Sequence, residues 1–126
     1  MKKILLVEDD ALSSMVLGDF LEAHGYDVSF AKNGVDALTE FERVSPDAML
    51  VDVMLPKRSG FEVCFEVKRT EKGRNMPVML MSAVYRDEDH ARKYAREDLR
   101  AQAYLVKPFD MKAMLTELET LLTPAA

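Results

Sequence analysis

The sequence predicts an α/β fold of successive βα units around a mostly parallel sheet. Three observations carry the prediction. Short apolar runs alternate with longer stretches of helical period, five of each. The runs at 4–7 and 48–51 are apolar throughout, as in strands covered on both faces. Capping residues, glycine and proline fall where the period changes.

Taken in order, Ile4 to Val7 reads as the first strand. Asp10 is placed to cap a first helix marked by Leu17, Phe20 and Leu21 and ended by Gly25. Tyr26, Val28 and Phe30 alternate with Asp27 and Ser29, so the second strand has a wetter face and belongs at a sheet edge. Asn33-Gly34 would suggest a hairpin in isolation, but Val35, Leu38, Phe41 and Val44 at helical spacing make it a helix start, and Pro46 stops that helix. Ala48 to Leu55 is the third strand, and Gly60 to Thr70 a helix with Phe61, Cys64, Phe65 and Val67 as its apolar positions. Pro77 to Met81 is the fourth strand, 87–98 a very polar helix, and Ala103 to Val106 the fifth strand. Met111 to Leu122 is a closing helix capped by Asp110.

Composition narrows the function classes. With 126 residues, the chain is the length of one domain, read as residues 1–122 followed by a frayed, disordered tail over 123–126. A net charge of −5 without a Lys/Arg cluster argues against direct nucleic-acid binding. The single cysteine, Cys64, fits a reducing compartment and reads as a small apolar filler. MKKILLV imitates the start of a signal peptide, but Glu8-Asp9-Asp10 stops it, and no apolar run is long enough to span a bilayer. The expectation is a cytoplasmic protein that engages no membrane.

One residue conflicts with the apolar pattern. AMLVDVMLP, residues 48–56, places the carboxylate of Asp52 inside a strand-forming run, where an isolated charge is costly unless it has a partner or a task. In open parallel sheets ligands bind outside the carboxyl ends of the strands, at the point where strand order reverses. Those ends deliver Glu8 and Asp9 from the first strand, Asp52 from the third, Ser82 from the fourth and Lys107 from the fifth. Three carboxylates repel one another unless they share a cation, and all-oxygen ligands suit Mg2+ or Mn2+. A carboxylate nucleophile, a hard cation, a lysine and a hydroxyl around one point can transfer and hold a phosphoryl group. A solvated acidic rim is the bland alternative.

These residues, in this order, resemble the receiver domain of two-component response regulators. The likeness runs through LLVEDD, LEAHGY, NGVDAL, LVDVMLPKRSGFEV, PVMLMSA and AYLVKPF, and so spans essentially the whole chain. It implies a flavodoxin-like fold with strand order 2-1-3-4-5. It also implies that Asp52 accepts a phosphoryl group from a phosphohistidine on a sensor histidine kinase or histidine phosphotransfer protein. Asp9, Asp52 and the backbone carbonyl of Met54 would ligate Mg2+, with Glu8 acting through water. Lys107, the Ser82 hydroxyl and the Ala83 amide would bind phosphate oxygens, and the Lys107-Pro108 bond would be cis. Tyr104 matches an aromatic switch coupled to Ser82. The output would be a changed surface, usually the fourth helix, fifth strand and fifth helix, read by a downstream protein target or effector domain, with phosphorylation-dependent dimerisation left open. Such a domain catalyses transfer to itself and is not a turnover enzyme.

Some residues depart from the family pattern. Ser82 to Lys107 is 25 positions, longer than usual, which places extra length around the fourth helix. Arg100-Ala101 stands where Gly-Ala is common, so the expectation is that the left-handed turn is made differently. RDEDHARKYAREDLR, 86–100, reads as a docking surface or as a solvated helix laced with i,i+4 pairs. His24 suits a helix C-terminus and His90 suits exposure. Lys57-Arg58-Ser59 either steers an acidic partner or is a tolerated variation. Met54 and Val84, both apolar, predict slow self-dephosphorylation. Two other readings compete: a receiver-like interaction module that works without phosphorylation, and a haloacid-dehalogenase-type hydrolase. The latter needs a second Asp where Met54 stands.

Overall fold

The computed structural model describes residues 1–83 and 88–123. Its elements alternate: β1 (Lys3–Val7), α1 (Ala11–Ala23), β2 (Asp27–Ala31), α2 (Gly34–Val44), β3 (Ala48–Asp52), α3 (Gly60–Lys68), β4 (Val78–Ser82), α4 (Glu88–Lys93), β5 (Ala103–Val106) and α5 (Met111–Leu122). The five strands form one parallel sheet in the order β2-β1-β3-β4-β5. The order reverses between β1 and β3, so the carboxyl ends of those two strands open onto one crevice.

Alternation along the strands sorts their side chains into two cores. Ile4, Leu6, Leu50, Met79 and Met81 face α1 and α5, which supply Leu17, Leu21, Met114, Leu115 and Leu118. Leu5, Val7, Met49, Val51, Val78 and Leu80 face the other helices, which supply Ala37, Phe41, Val63, Cys64, Val67 and Ala95. Burial in that layer pushes the Cys64 thiol up to about 11, in keeping with a packing role.

The helix ends follow local chemistry. Asp10, Asn33, Ser59 and Asp110 cap α1, α2, α3 and α5 by accepting backbone N–H groups of the first turn. Asn33 also donates to the Asp36 carboxylate, which fixes the Asn33-Gly34 pair as a helix start. Gly25 closes α1 in the left-handed region, with φ of 90°. His24 Nδ1 lies 2.8 Å from the Phe20 carbonyl at the end of the same helix.

Several expectations are corrected. β3 ends at Asp52, because the chain turns immediately afterwards, with the Leu55 N–H donating back to Val53 O. β4 begins and ends one residue later than expected, and α3 stops at Lys68. On α3 the buried positions are Gly60, Val63, Cys64 and Val67, whereas Phe65 is exposed beneath the Arg69 guanidinium. On α2, Val35 is exposed and Gly34, Ala37 and Phe41 face the sheet. In both helices a glycine at the first position packs against backbone and turns the inward face away from the larger apolar residues.

The polar helix expected over 87–98 is α4 followed by a π-helical turn, Tyr94–Asp98, in which the Leu99 N–H reaches Tyr94 O. A π turn absorbs added length without displacing the flanking strands. The following left-handed turn is present after all: Arg100 itself adopts φ of 60°. Val84 and residues 124–126 lie outside the described residues. Thr123 closes α5, its N–H and hydroxyl both donating to Glu119 O.

Candidate functional site

Among the described residues, the only buried polar or charged ones are Glu8, Asp52 and Ser82. They stand at the carboxyl ends of β1, β3 and β4, at the reversal of strand order. Each follows a run of apolar residues that the sheet buries on both faces, so the strands fix their positions. Lys107 arrives from the end of β5, where its N–H extends the ladder to Ser82 O at 2.7 Å, and its bond to Pro108 is cis.

The lysine ties the crevice together. Its Nζ donates to Glu8 Oε1 at 2.6 Å and to Asp52 Oδ2. The other Asp52 oxygen, Oδ1, accepts the Met54 N–H at 2.8 Å. Burial raises the pKa of the Glu8 carboxyl, and neighbouring Asp52 adds to the shift against the opposing pull of Lys107. Burial works against the Lys107 charge, but its hydrogen bonds to Asp52 and Glu8 outweigh that and hold its pKa above the ordinary lysine range.

The remaining residues singled out in the sequence are placed around this core. Asp9 is exposed beside Glu8. The Ser82 hydroxyl donates to the Ala83 carbonyl at 2.8 Å, and Ala83 is exposed. Met54 is 66% exposed at the mouth of the crevice. Tyr104 is buried in the layer with α3, and Arg92 of α4 donates to its carbonyl and lies over its ring. Among the described residues no three His, Cys, Asp or Glu side chains converge closely enough to share an ion. Glu8 and Asp52 meet at Lys107. The donor set nevertheless fits a hard divalent cation, because two buried carboxylates share one ammonium and every donor is oxygen.

Residues 4–119 match the response regulator receiver domain family. The chain belongs to that family. This receiver domain is 35% identical over 122 residues to the DNA-binding dual master transcriptional regulator RpaA of Synechocystis, covering 97% of the chain and 49% of that relative. It is 38% identical over 120 residues to the response regulator MprA of Mycobacterium leprae, covering 95% and 50% respectively. It thus spans about half the length of these curated relatives. The structure of the chemotaxis response regulator CheY4 of Vibrio cholerae superposes with a TM-score of 0.85 at 26% identity, covering 96% of this chain and 98% of that one. The chain is therefore a receiver domain of the two-component response regulators. Domains of this kind interact with histidine kinases and effector domains and are not, in general, turnover enzymes.

Two features of this receiver domain escaped the reading of its sequence. Leu12, Met15 and Val16 form a second, exposed apolar face on α1, beside a groove completed by Lys107, Phe109 and Met111. The signal was present, since apolar residues surround this helix instead of lining one side. The other is Gly60, which the sequence marks only as a helix start.

Proposed function

We propose that Asp52 accepts a phosphoryl group from a phosphohistidine of a sensor histidine kinase or histidine phosphotransfer protein, in a Mg2+-dependent reaction. The loaded domain then signals to a downstream protein target or effector domain. The observation that carries this reading is that, among the described residues, the buried polar and charged ones are Glu8, Asp52 and Ser82, with Glu8 and Asp52 joined by Lys107. A core does not retain two carboxylates and a hydroxyl at the carboxyl end of its central strands for packing.

A carboxylate oxygen of Asp52 bonds to phosphorus as the donor's P–N bond breaks, and the imidazole departs with the electron pair of that bond. The Met54 N–H and the Lys107 ammonium orient the Asp52 carboxylate, one on each oxygen. Lys107 then neutralises charge on the transferred group, while the Ser82 hydroxyl and the Ala83 amide supply donors to its oxygens. Asp9, Asp52 and the Met54 carbonyl would hold Mg2+, with Glu8 acting through water; bound there, the ion supplies the positive charge that the carboxylates and phosphoryl oxygens lack.

The apolar face formed by Leu12, Val16, Phe109 and Met111 adjoins Lys107 and offers the donor protein a shelf beside the acceptor. Loading replaces the single negative charge of the Asp52 carboxylate with the roughly two of an acyl phosphate. Ser82 shifts toward them, and the change reaches Tyr104, whose backbone pairs with β4 directly opposite Leu80.

Incubation with MgCl2 and phosphoramidate, followed by intact mass, tests the proposal. The expected result is one added phosphoryl group, stable for minutes, that is absent in Asp52→Asn. No gain in mass would favour an interaction module, and repeated turnover without an adduct would favour a hydrolase.

A further inference from the structure

Gly60, the first residue of α3, lies against the peptide of Asp52 itself. A Cβ at this position would overlap the Asp52 carbonyl oxygen and stand 2.8 Å from both the Asp52 carbonyl carbon and Val53 Cα. All three are backbone atoms, so no side chain can swing aside to make room. Backbone conformation does not explain the glycine, since Gly25 alone among the described glycines has a positive φ. Helix propensity argues against it too, because glycine inside a helix costs up to about 1 kcal/mol relative to alanine. What remains is close approach.

The peptide that Gly60 touches is held on its other sides. The Val53 N–H donates to Met81 O at 2.8 Å, Val53 O accepts the Gly60 N–H at 2.9 Å, and the Met54 N–H is bonded to Asp52 Oδ1. A displaced Asp52 carbonyl cannot be absorbed without moving the Asp52 side chain relative to Met54 and Lys107. We infer that Gly60 is a positioning residue for phosphoryl acceptance: its missing side chain lets α3 press on the Asp52–Val53 peptide and sets the direction of the carboxylate. The inference rests on the reading of Asp52 as the acceptor.

Gly73 provides the control. A Cβ there would overlap the Val67 carbonyl oxygen and approach that residue's Cγ1 to 2.6 Å, a comparable backbone clash at the far end of the same helix. The test compares wild type, Asp52→Asn, Gly60→Ala and Gly73→Ala at saturating Mg2+ and phosphoramidate. Phosphoryl gain is followed by intact mass, and rates are expressed per folded molecule at two temperatures below the Tm of every variant.

Gly60→Ala is expected to lose at least about tenfold in rate at both temperatures, as a misplaced reacting group does. Gly73→Ala is expected to stay within about twofold of wild type, although its Tm falls comparably. A Gly60→Ala rate equal to wild type, or an equal loss in Gly73→Ala, overturns the inference while leaving Asp52 as the acceptor. A wild type that gains no phosphoryl group overturns the reading of Asp52 and this inference with it. Where Gly60→Ala yields no folded protein, the wild-type amide spectrum decides. On saturation with Mg2+ and beryllofluoride the Gly60 resonance should move together with that of Met54 while Gly73 stays in place, and an unmoved Gly60 overturns the inference.

Discussion

Lys107 Nζ lies 2.6 Å from Glu8 Oε1, joining residues 99 positions apart at the ends of β5 and β1. The same ammonium donates to Asp52, so one cation stands between two buried carboxylates. That imbalance has consequences for stability as well as for phosphoryl chemistry.

Glu8 binds its proton more tightly in the folded chain than in the unfolded one. Its ionised form at neutral pH is therefore a cost, relieved as pH falls through its raised value toward the ordinary 4.5. Glu8→Gln should stabilise the metal-free protein at pH 7 by about 1 kcal/mol, a size common when a functional site is relieved of strain. The gain should shrink toward pH 4.5. Urea melts at both pH values measure it, and a loss of stability at pH 7 would contradict the balance of charges described.

Lys107 has the opposite linkage. Its pKa is raised on folding, so its contribution is complete below the ordinary 10.5 and is lost as pH rises through the raised value. Lys107→Ala leaves Glu8 and Asp52 facing each other, and should cost about 2 to 3 kcal/mol without metal, somewhat less than breaking a fully buried pair. Millimolar Mg2+ should restore a larger share of stability to this variant than it adds to wild type, because ligand binding stabilises in proportion to its occupancy of the folded state. Thermal melts with MgCl2 and with EDTA make the comparison.

Arg100 adopts the left-handed region, at φ of 60°, without the glycine that occupies this region at no steric cost. Arg100→Gly should raise stability by about 1 kcal/mol and Tm by roughly 3 °C for a domain of this size. Phosphoryl acceptance should be unchanged, since Arg100 touches none of Glu8, Asp52, Ser82 or Lys107. Differential scanning calorimetry and the phosphoramidate assay read the two halves separately.

The fold was legible where side-chain pattern and topology agree. Continuous apolar strands, the cap at Asp10 and the stop at Gly25 follow from local chemistry, and the strand ends point to Glu8, Asp52, Ser82 and Lys107 from sequence order alone. Inward faces were harder to read. Phe65 and Val35 are large and apolar at helical spacing, yet both are exposed, because backbone contacts at Gly60 and Gly34 set the rotation of their helices. A pattern of hydrophobicity carries no information about a close approach made by an absent side chain. The π turn was equally hidden: excess length between Ser82 and Lys107 is visible in the sequence, but its absorption by one widened turn depends on where Leu99 and Ala101 dock in the core.

Met54 is expected to set the lifetime of the proposed phosphorylated state. Its backbone N–H holds Asp52 Oδ1, while its side chain is 66% exposed and brings no polar atom able to orient an attacking water beside Asp52, the proposed acceptor. Met54→Asn retains the backbone hydrogen bond and adds a donor and an acceptor at that position. Loss of phosphate after donor removal should therefore accelerate by roughly tenfold, a modest share of what positioned polar groups contribute to proton transfer. The rate of acceptance, set by the unaltered Asp52 and Lys107, should change much less. Decay of the phosphorylated mass in wild type and Met54→Asn, at equal Mg2+, measures the ratio, and an unchanged decay would remove Met54 from any account of how long the signal lasts.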